Sequence, residues 1–477
     1  MFSIQSISKT FTSTAILMAV DEGLLDLDAP VSKYIPEFRI KSYYDEEPLD
    51  LITLRHLLSH TAGLAHEAPL GNNFTSDTPS FENHVNSIQL TFLRYPVGQR
   101  FCYSNLGMDL AAYILQEVSG QPFHQYLQER IFDPLGMKNS SADPEVILNC
   151  KSRALGHSRG VEEKRVIVPM TGAGGVYTSI DDMAKFVQFH LNQGKIDGKE
   201  LITPSLLEEM YTVPFPVPGQ IGGYALGIDT YKKHNAHFLN HGGGGYGFLA
   251  DMAWYGELGI GAVVLTNSVN HTLQGNLYNE ILDELIEPRI KGNLPDPESQ
   301  NAQEFKLRDE QMQLLSGHYV GRSGSMHIQI SEASLGVENG QGFSPFTFYT
   351  EDEAVLRRNG YKDYFRFIKD DHGNPDYIVK LNGGRTWDFN DGPFEAPGPD
   401  LAQWEPYMGD YGVYIGGNPL AKARLEKKNG HLHLTYMNKS DRLAEVEPGV
   451  FISSNGEILQ FGEKIEFASI FELVKNK

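Results

Sequence analysis

Three short patterns in this sequence carry side chains that could do covalent chemistry. The first is Ser6-Ile7-Ser8-Lys9, just ahead of a helix predicted by Phe11, Ala15, Leu17 and Met18 and ended by Gly23. If the helix begins near Ser6, the side chains of Ser6 and Lys9 share one face. A serine needs a base to become a nucleophile, and a desolvated lysine beside it can serve. The helix start would also favour developing negative charge. The second pattern is Pro96-Val97-Gly98-Gln99-Arg100-Phe101-Cys102-Tyr103-Ser104-Asn105. Here Tyr103 could move a proton and Asn105 could hold a substrate carbonyl. The third is His241-Gly242-Gly243-Gly244-Gly245-Tyr246-Gly247-Phe248, where glycines permit close backbone approach and leave N–H groups for an oxyanion. Taken singly, each has a plainer reading: a serine cap with a solvated lysine, a tyrosine packed on a helix start, a glycine-rich turn.

Two further patterns fail on context. Gly156-His157-Ser158-Arg159-Gly160 matches G-x-S-x-G, but that elbow needs an apolar strand before it and a helix after it. Asn149 to Arg153 and Val161 to Arg165 supply neither. His56 and His60 are four apart, yet Leu57 stands where a zinc protease places its glutamate, and no third ligand is evident.

The elements that must position these residues follow from periodicity and caps. Thr53 caps a helix through Leu54, Leu57 and Leu58. Another spans Leu106 to Val118 and stops at Ser119-Gly120. Ser179-Ile180-Asp181-Asp182 opens a third, running to Gly194. Strands are expected at Phe248–Trp254 and Ile260–Thr266, and a helix at Leu277–Ile286. Glu287 to Gln303 is polar and rich in Pro and Asn, the composition of a linker. Beyond about residue 310, short runs of Gly, aromatic and β-branched residues with frequent turns predict an all-β barrel or sandwich. Leu314 to Gly321 and Pro406 to Val413 share a Gly-x-Tyr core, a faint internal repeat.

Composition narrows the function. The 477 residues carry 40 Lys+Arg against 61 Asp+Glu, a net charge of −21, which argues against nucleic acid and anionic lipid as partners. Two cysteines do not make a disulfide scaffold. No apolar run of spanning length exists. Met1-Phe2-Ser3-Ile4-Gln5 lacks the basic start and apolar core of a signal peptide, so the chain as it stands reads as cytoplasmic.

In order and together, these patterns resemble the serine β-lactamase and penicillin-binding-protein-like family, which includes class C β-lactamases, D-aminopeptidases, DD-peptidases and esterases. The resemblance covers about residues 2–290. It also rests on Asp26 to Val31, Leu51 to Leu64 (LITLRHLLSHTAGL), Ile131 to Met137, Gly172 to Ser179 and Tyr224 to Gly227. It implies an α+β fold: a β-lactamase/DD-peptidase-like domain with an antiparallel sheet flanked by helices at 1–290, a linker at 291–308, and a lipocalin-like antiparallel β-barrel region at 309–477. Whether that region is one unit or two (309–400 and 401–477) stays open.

The same resemblance implies Ser6 as the acylated nucleophile, Lys9 as its neighbouring base and Tyr103 as a partner in proton transfer, with the choice of base between the last two open. Asn105, His241 and Gly243 would contact substrate. The oxyanion hole would use the N–H groups of Ser6 and Gly244. No cofactor or metal is implied. The expected partner is a small-molecule or peptide substrate, with a homo-oligomer left open. His241 stands where family members that bind carboxylates carry lysine, so ester or amide hydrolysis, or a D-aminopeptidase activity, is favoured over penicillin recognition or weak β-lactamase activity. Ser6 also lies unusually near the start. Strands that usually precede the nucleophile are expected to be missing, leaving an unpaired sheet edge. Export, and a truncated form that only binds a ligand, follow as alternatives.

Overall fold

In a computed structural model of the chain, the described residues are 1–75, 77–163, 167–233, 236–271, 273–286, 304–321, 324–339, 342–358, 361–382, 384–391, 401–428, 431–436 and 439–476. The linker expected at 291–308 lies outside them as far as residue 303. Packing separates two units, one formed by Met1–Pro216 and Gly222–Leu294, the other by Val217–Ile221 and Pro295–Lys477.

The first unit is organised by α1 (Ser8–Asp21). The sequence predicts one apolar face, but the structure buries every residue from Ser8 to Ala19. Its hydroxyls make that possible. Thr10 donates to the Gly227 carbonyl at 2.9 Å, Thr12 to the Gly172 carbonyl at 2.6 Å, and Thr14 to the Thr10 carbonyl at 2.8 Å. A buried hydroxyl with a partner avoids the desolvation penalty of one without. Leu24, just past the Gly23 stop, is 41% exposed.

Around α1 stand α2 (Leu54–Leu58), α3 (Phe81–Ser87), α4 (Asn105–Ser119), the short α5 (Thr171–Gly174) and α6 (Ile180–Leu191). The expected start and stop signals operate. The side chains of Thr53 and Ser179 accept from backbone N–H groups three residues on, and so does that of Ser104, a cap not anticipated in the sequence. Gly120 ends α4 at φ 69°, a left-handed conformation that costs a glycine little.

Strand β1 (Phe2–Ser3) pairs with β2 (Tyr177–Thr178). The main sheet is antiparallel and runs from β3 (Gly222–Tyr224) through β4 (Asp229–Lys233), β5 (Ala236–Gly245) and β6 (Phe248–Tyr255) to β7 (Ile260–Thr266). Side chains alternate across it. Ala250, Met252 and Trp254 join the core around α1. Ala253 and Tyr255 face Tyr278, Leu282 and Ile286 of α7 (Leu273–Ile286). The unit is therefore an antiparallel sheet between helical layers.

The second unit begins with a helix not anticipated in the sequence, α8 (Asp309–Leu315), whose Met312 and Leu315 pack inward. It leads into a closed antiparallel barrel of β8 (Gly317–Gly321), β9 (Gly324–Ser331), β10 (Ser334–Asn339), β11 (Gly342–Phe348), β12 (Glu353–Arg358), β13 (Tyr361–Lys369), β14 (Pro375–Lys380) and β15 (Thr386–Asp391). A second closed barrel follows: β16 (Gly409–Ile415), β17 (Asn418–Lys428), β18 (His431–Tyr436), β19 (Lys439–Glu447), β20 (Val450–Ser453), β21 (Ile458–Phe461), β22 (Ile465–Phe467) and β23 (Phe471–Lys475).

Side chains fill both barrels, as eight strands permit. Tyr319, Phe346, Phe365 and Phe367 pack the first; Tyr411, Leu434, Phe451 and Phe467 pack the second. The Gly-x-Tyr repeat is structural. Tyr319 and Tyr411 are buried on the first strand of each barrel, and each hydroxyl donates to the carbonyl four residues back, in Leu315 and Tyr407. The fully buried Asn390 of β15 meets the second barrel. Its amide donates to the Ser440 carbonyl at 2.8 Å and its oxygen accepts from Arg442 N at 2.8 Å and Ser454 Oγ at 2.6 Å.

Candidate active site

Ser6 sits in a single 3-10 turn, Gln5–Ile7, that runs straight into α1. The turn is anchored by the Ile4 N–H on the Val176 carbonyl at 3.2 Å. Gln5 takes φ 48°, a left-handed backbone that a non-glycine residue adopts only under constraint. One helical turn on, Lys9 is fully buried. Its Nζ lies 3.1 Å from Ser6 Oγ, 2.9 Å from the Ala173 carbonyl oxygen, and 4.9 Å from the centre of the Tyr103 ring. The i, i+3 spacing thus delivers the expected pair. The contact serves either polarity: an ammonium donating to the serine oxygen, or a serine hydroxyl donating to a neutral amine.

Tyr103 and Asn105 come from the approach to α4. Ser104 caps that helix and donates to the Ala65 carbonyl at 2.5 Å, while Asn105 N donates to the His66 carbonyl at 3.1 Å. The Tyr103 ring packs between His60, 4.2 Å between centres, and Tyr224, at 5.9 Å. The Asn105 amide donates to Glu67 Oε1 at 3.1 Å.

Glu67 was not foreseen from the sequence. It is buried and also takes hydrogen bonds from Asn73 Nδ2 at 2.6 Å and from His66 Nδ1 at 2.8 Å. Burial pushes its carboxyl up, but the His66 bond and charge, with the Asn73 donors, hold it below its ordinary value. An acidic residue beside a histidine, within Leu64-Ala65-His66-Glu67-Ala68, was the available signal.

The glycine run is the end of strand β5, not a turn before a strand. Tyr246 at φ 48° and Gly247 at φ 81° close a two-residue hairpin into β6. Gly245 pairs with Phe248 next to that turn and Gly244 with Leu249. In such a hairpin the pair beside the turn exchanges hydrogen bonds, so the next residue, Gly244, directs its N–H away from β6. Gly243 lies against the Ser6 turn. A Cβ there would fall 2.1 Å from the Ile4 carbonyl oxygen and 3.1 Å from Ser6 N.

His241 is buried with its Nδ1 2.7 Å from the Gly242 carbonyl and its Nε2 2.8 Å from the Tyr224 hydroxyl. A carbonyl only accepts, so Nδ1 carries hydrogen and a neutral ring accepts from Tyr224 at Nε2. The two side patterns are placed differently. Ser158 belongs to a two-stranded hairpin, His157–Ser158 with Val161–Glu162, and not to a strand–helix elbow. His56 bonds within the Thr53 cap and stacks on Phe215, while His60 stacks on Tyr103.

Ser6, Lys9, Tyr103, Asn105 and Gly243 are thereby gathered at the junction of α1, α4 and β5. Chemically, the arrangement could supply a serine nucleophile, two groups able to move its proton, and backbone N–H groups for an oxyanion.

A family profile described as Beta-lactamase matches residues 1–283. The chain is 29% identical over 302 residues to the D-alanyl-D-alanine-carboxypeptidase/endopeptidase AmpH of Escherichia coli (strain K12), covering 61% of this chain and 77% of that protein. A solved Beta-lactamase/D-alanine carboxypeptidase from Yersinia pestis, complexed with citrate, superposes with TM-score 0.50 at 28% identity, over 61% of this chain and 84% of that one. The octameric penicillin-binding protein homologue from Pyrococcus abyssi gives TM-score 0.52 at 22% identity, over 81% of this chain and 87% of that one, a likeness of fold alone.

Proposed function

The chain belongs to the beta-lactamase family, and from that premise we propose that it is a serine hydrolase cleaving ester or amide bonds through an acyl-enzyme on Ser6. The observation that supports this most is the 3.1 Å contact between Ser6 Oγ and the fully buried Lys9 Nζ beside the Tyr103 ring. Ser6 attacks the carbonyl and its proton passes to Lys9 or Tyr103. The oxyanion rests on the N–H groups of Ser6 and Gly244. The leaving group takes a proton and departs, and water then hydrolyses the acyl-enzyme. Asn105, His241 and Gly243 form the substrate-facing wall. No metal or cofactor enters this scheme, and among the described residues no His/Cys/Asp/Glu cluster could hold a metal ion.

In this reading 1–290 is the catalytic domain, 291–308 a linker and 309–477 a barrel region that shapes substrate access or assembly, a homo-oligomer included. Among the described residues no helix is long and apolar enough to cross a membrane. His241, unlike a lysine, offers a substrate carboxylate no permanent positive charge. Esters, amides and amino-terminal D-peptides therefore rank ahead of penicillins. The relatives' names favour carboxypeptidase or penicillin recognition as the second reading.

The test is peptide mapping after exposure to a fluorophosphonate, with a fluorescent penicillin in parallel. One adduct on the peptide holding Ser6, lost in Ser6→Ala, is the expected result. Labelling by penicillin as well moves the assignment to the second reading. Folded protein without any adduct refutes both and leaves a binding role.

A further inference from the structure

Behind Lys9 lies a buried chain of polar groups that the scheme above does not use. Asp109 sits on α4, in line with Leu106 three residues before it and Ala112 three after, and is fully buried. Its Oδ1 accepts from Gly172 N at 2.8 Å and from Ala173 N at 3.1 Å. The other side of the turn faces α1: the Gly172 carbonyl, in the same peptide as Ala173 N, accepts from Thr12, and the carbonyl of the next peptide, that of Ala173, accepts from Lys9 Nζ at 2.9 Å. Close approach of α5 to α4 requires glycine at 172, where a Cβ would fall 2.6 Å from Ala112 Cβ and 2.8 Å from the Met108 carbonyl. The turn that presents a carbonyl to Lys9 is therefore gripped from both sides, and Asp109 is the grip on the far side.

Asp109 Oδ2 lies 3.1 Å from Nε2 of His84, also fully buried, whose Nδ1 lies 2.7 Å from the Leu70 carbonyl. Neither a carbonyl nor a carboxylate oxygen can donate, so both ring nitrogens must carry hydrogen. The geometry describes an imidazolium held against a carboxylate. Two carboxylates act on the ring, Asp109 from α4 and Glu67 from the segment between α2 and α3. Phe81 of its own helix stacks on it at 6.5 Å, with Tyr113 of α4 beyond. Burial alone would push His84 down, but the Asp109 bond and charge, with Leu70 and Glu67, hold it above its ordinary value. The pair is then intact below that ordinary value and lost as pH rises through the raised one.

We infer that Asp109 is a positioning residue for Lys9, acting through the Gly172–Ala173 peptides, and that the buried His84 imidazolium keeps it in place. The inference rests on the assignment of Lys9 to the site at Ser6. It makes no contact with substrate necessary.

Asp109→Asn separates shape from charge. Its Oδ1 can still accept from Gly172 and Ala173, and its Nδ2 can donate to Nε2 of a neutral His84 that still donates to Leu70. Asp109→Ala removes the grip. In the full chain, the limiting rate and half-saturating concentration of fluorophosphonate labelling at Ser6 are measured for both variants from neutral to alkaline pH. Asp109→Ala is expected to lose roughly ten- to a hundredfold in limiting rate per folded molecule, with half-saturation little changed. Asp109→Asn is expected to label near the wild-type rate and to lack the alkaline decline that His84 deprotonation gives the wild type. A wild-type limiting rate in Asp109→Ala, or a loss confined to half-saturation, overturns the inference. So does an alkaline decline unchanged in Asp109→Asn, which decides the matter even if Asp109→Ala fails to fold. A wild type with no adduct on Ser6 removes the assignment of the site and this inference with it.

Discussion

Substituting Gly243 by alanine tests whether β5 really sets the position of the nucleophile. The added Cβ would fall 2.1 Å from the Ile4 carbonyl oxygen and 3.1 Å from both the Ile4 carbonyl carbon and Ser6 N. Ordinary contact begins near 3.4 Å, so one backbone must retreat from the other by about 1 Å. No side chain can rotate to relieve the clash, because every atom met belongs to the backbone of residues 4–6. A displacement of about 1 Å at a reacting group costs about 100-fold in rate, or about 2.7 kcal/mol of barrier. Overpacking of this kind also destabilises by about 1–3 kcal/mol. Gly256→Ala is the control: that position follows β6 and a Cβ there meets nothing within 4 Å. The assay is the rate of fluorophosphonate labelling at Ser6, normalised to folded protein, with urea unfolding alongside. Gly243→Ala should label about 100-fold more slowly and unfold at lower urea, while Gly256→Ala matches the wild type in both. A Gly243→Ala protein that labels at the wild-type rate would refute the close approach of β5 to the Ser6 turn.

Three other outcomes are expected. Ser158→Ala should leave Ser6 labelling unchanged, since Ser158 lies in a two-stranded hairpin and not in a strand–helix elbow; a fall in labelling would reopen the G-x-S-x-G pattern. The Glu67 carboxyl, held below its ordinary value, should contribute stability above that value and lose it as pH falls through the lowered one; thermal melts of Glu67→Gln should lack this acid-side loss. His190 is buried against Trp254 and bonded to Tyr211, and burial lowers its pKa to about 3, so stability should fall as pH drops from about 6.5 toward 3, by up to about 1.4 kcal/mol per pH unit. Urea titrations of His190→Phe should start from a lower plateau and show a flatter acid limb; an equal slope in both proteins contradicts the assignment.

What the sequence disclosed is mostly local. Ser6 and Lys9 are three apart on one turn, and caps such as Thr53 and Ser179 act within three residues, so spacing alone brings those groups together. The barrel character of the C-terminal region was legible because strand alternation and turns are also local. Assembly of Tyr103, Asn105 and the glycine run with Ser6 came only from the ordered resemblance, since nothing local links α4 to β5. The groups missed are long-range polar partners. Glu67 meets Asn105 across 38 residues and Asp109 meets Ala173 across 64. Their trace in the sequence is a charged residue in an apolar setting, which marks burial without naming the partner. That the glycine run continues a strand was not legible, because four glycines are poor strand formers; β5 persists there through pairing with β6 and packing against residues 4–6. The full burial of α1 escaped because hydroxyl residues read as polar, although Thr10, Thr12 and Thr14 each find a carbonyl in the fold.

The Asn390 contact between the barrels bears on how the C-terminal unit avoids docking wrongly. An apolar seam tolerates sliding; a carboxamide with one donor edge and one acceptor edge does not. Seated correctly, it matches the Ser440 carbonyl, the Arg442 N–H and the Ser454 hydroxyl at once. If the second barrel were absent, water could take up the same bonds, and little would be lost. If it were present but shifted, the amide would stay buried with its groups unmatched, at about 1–3 kcal/mol for each. The contact therefore penalises a misplaced neighbour more than it rewards a correct one, and works as a proofreading element for barrel assembly.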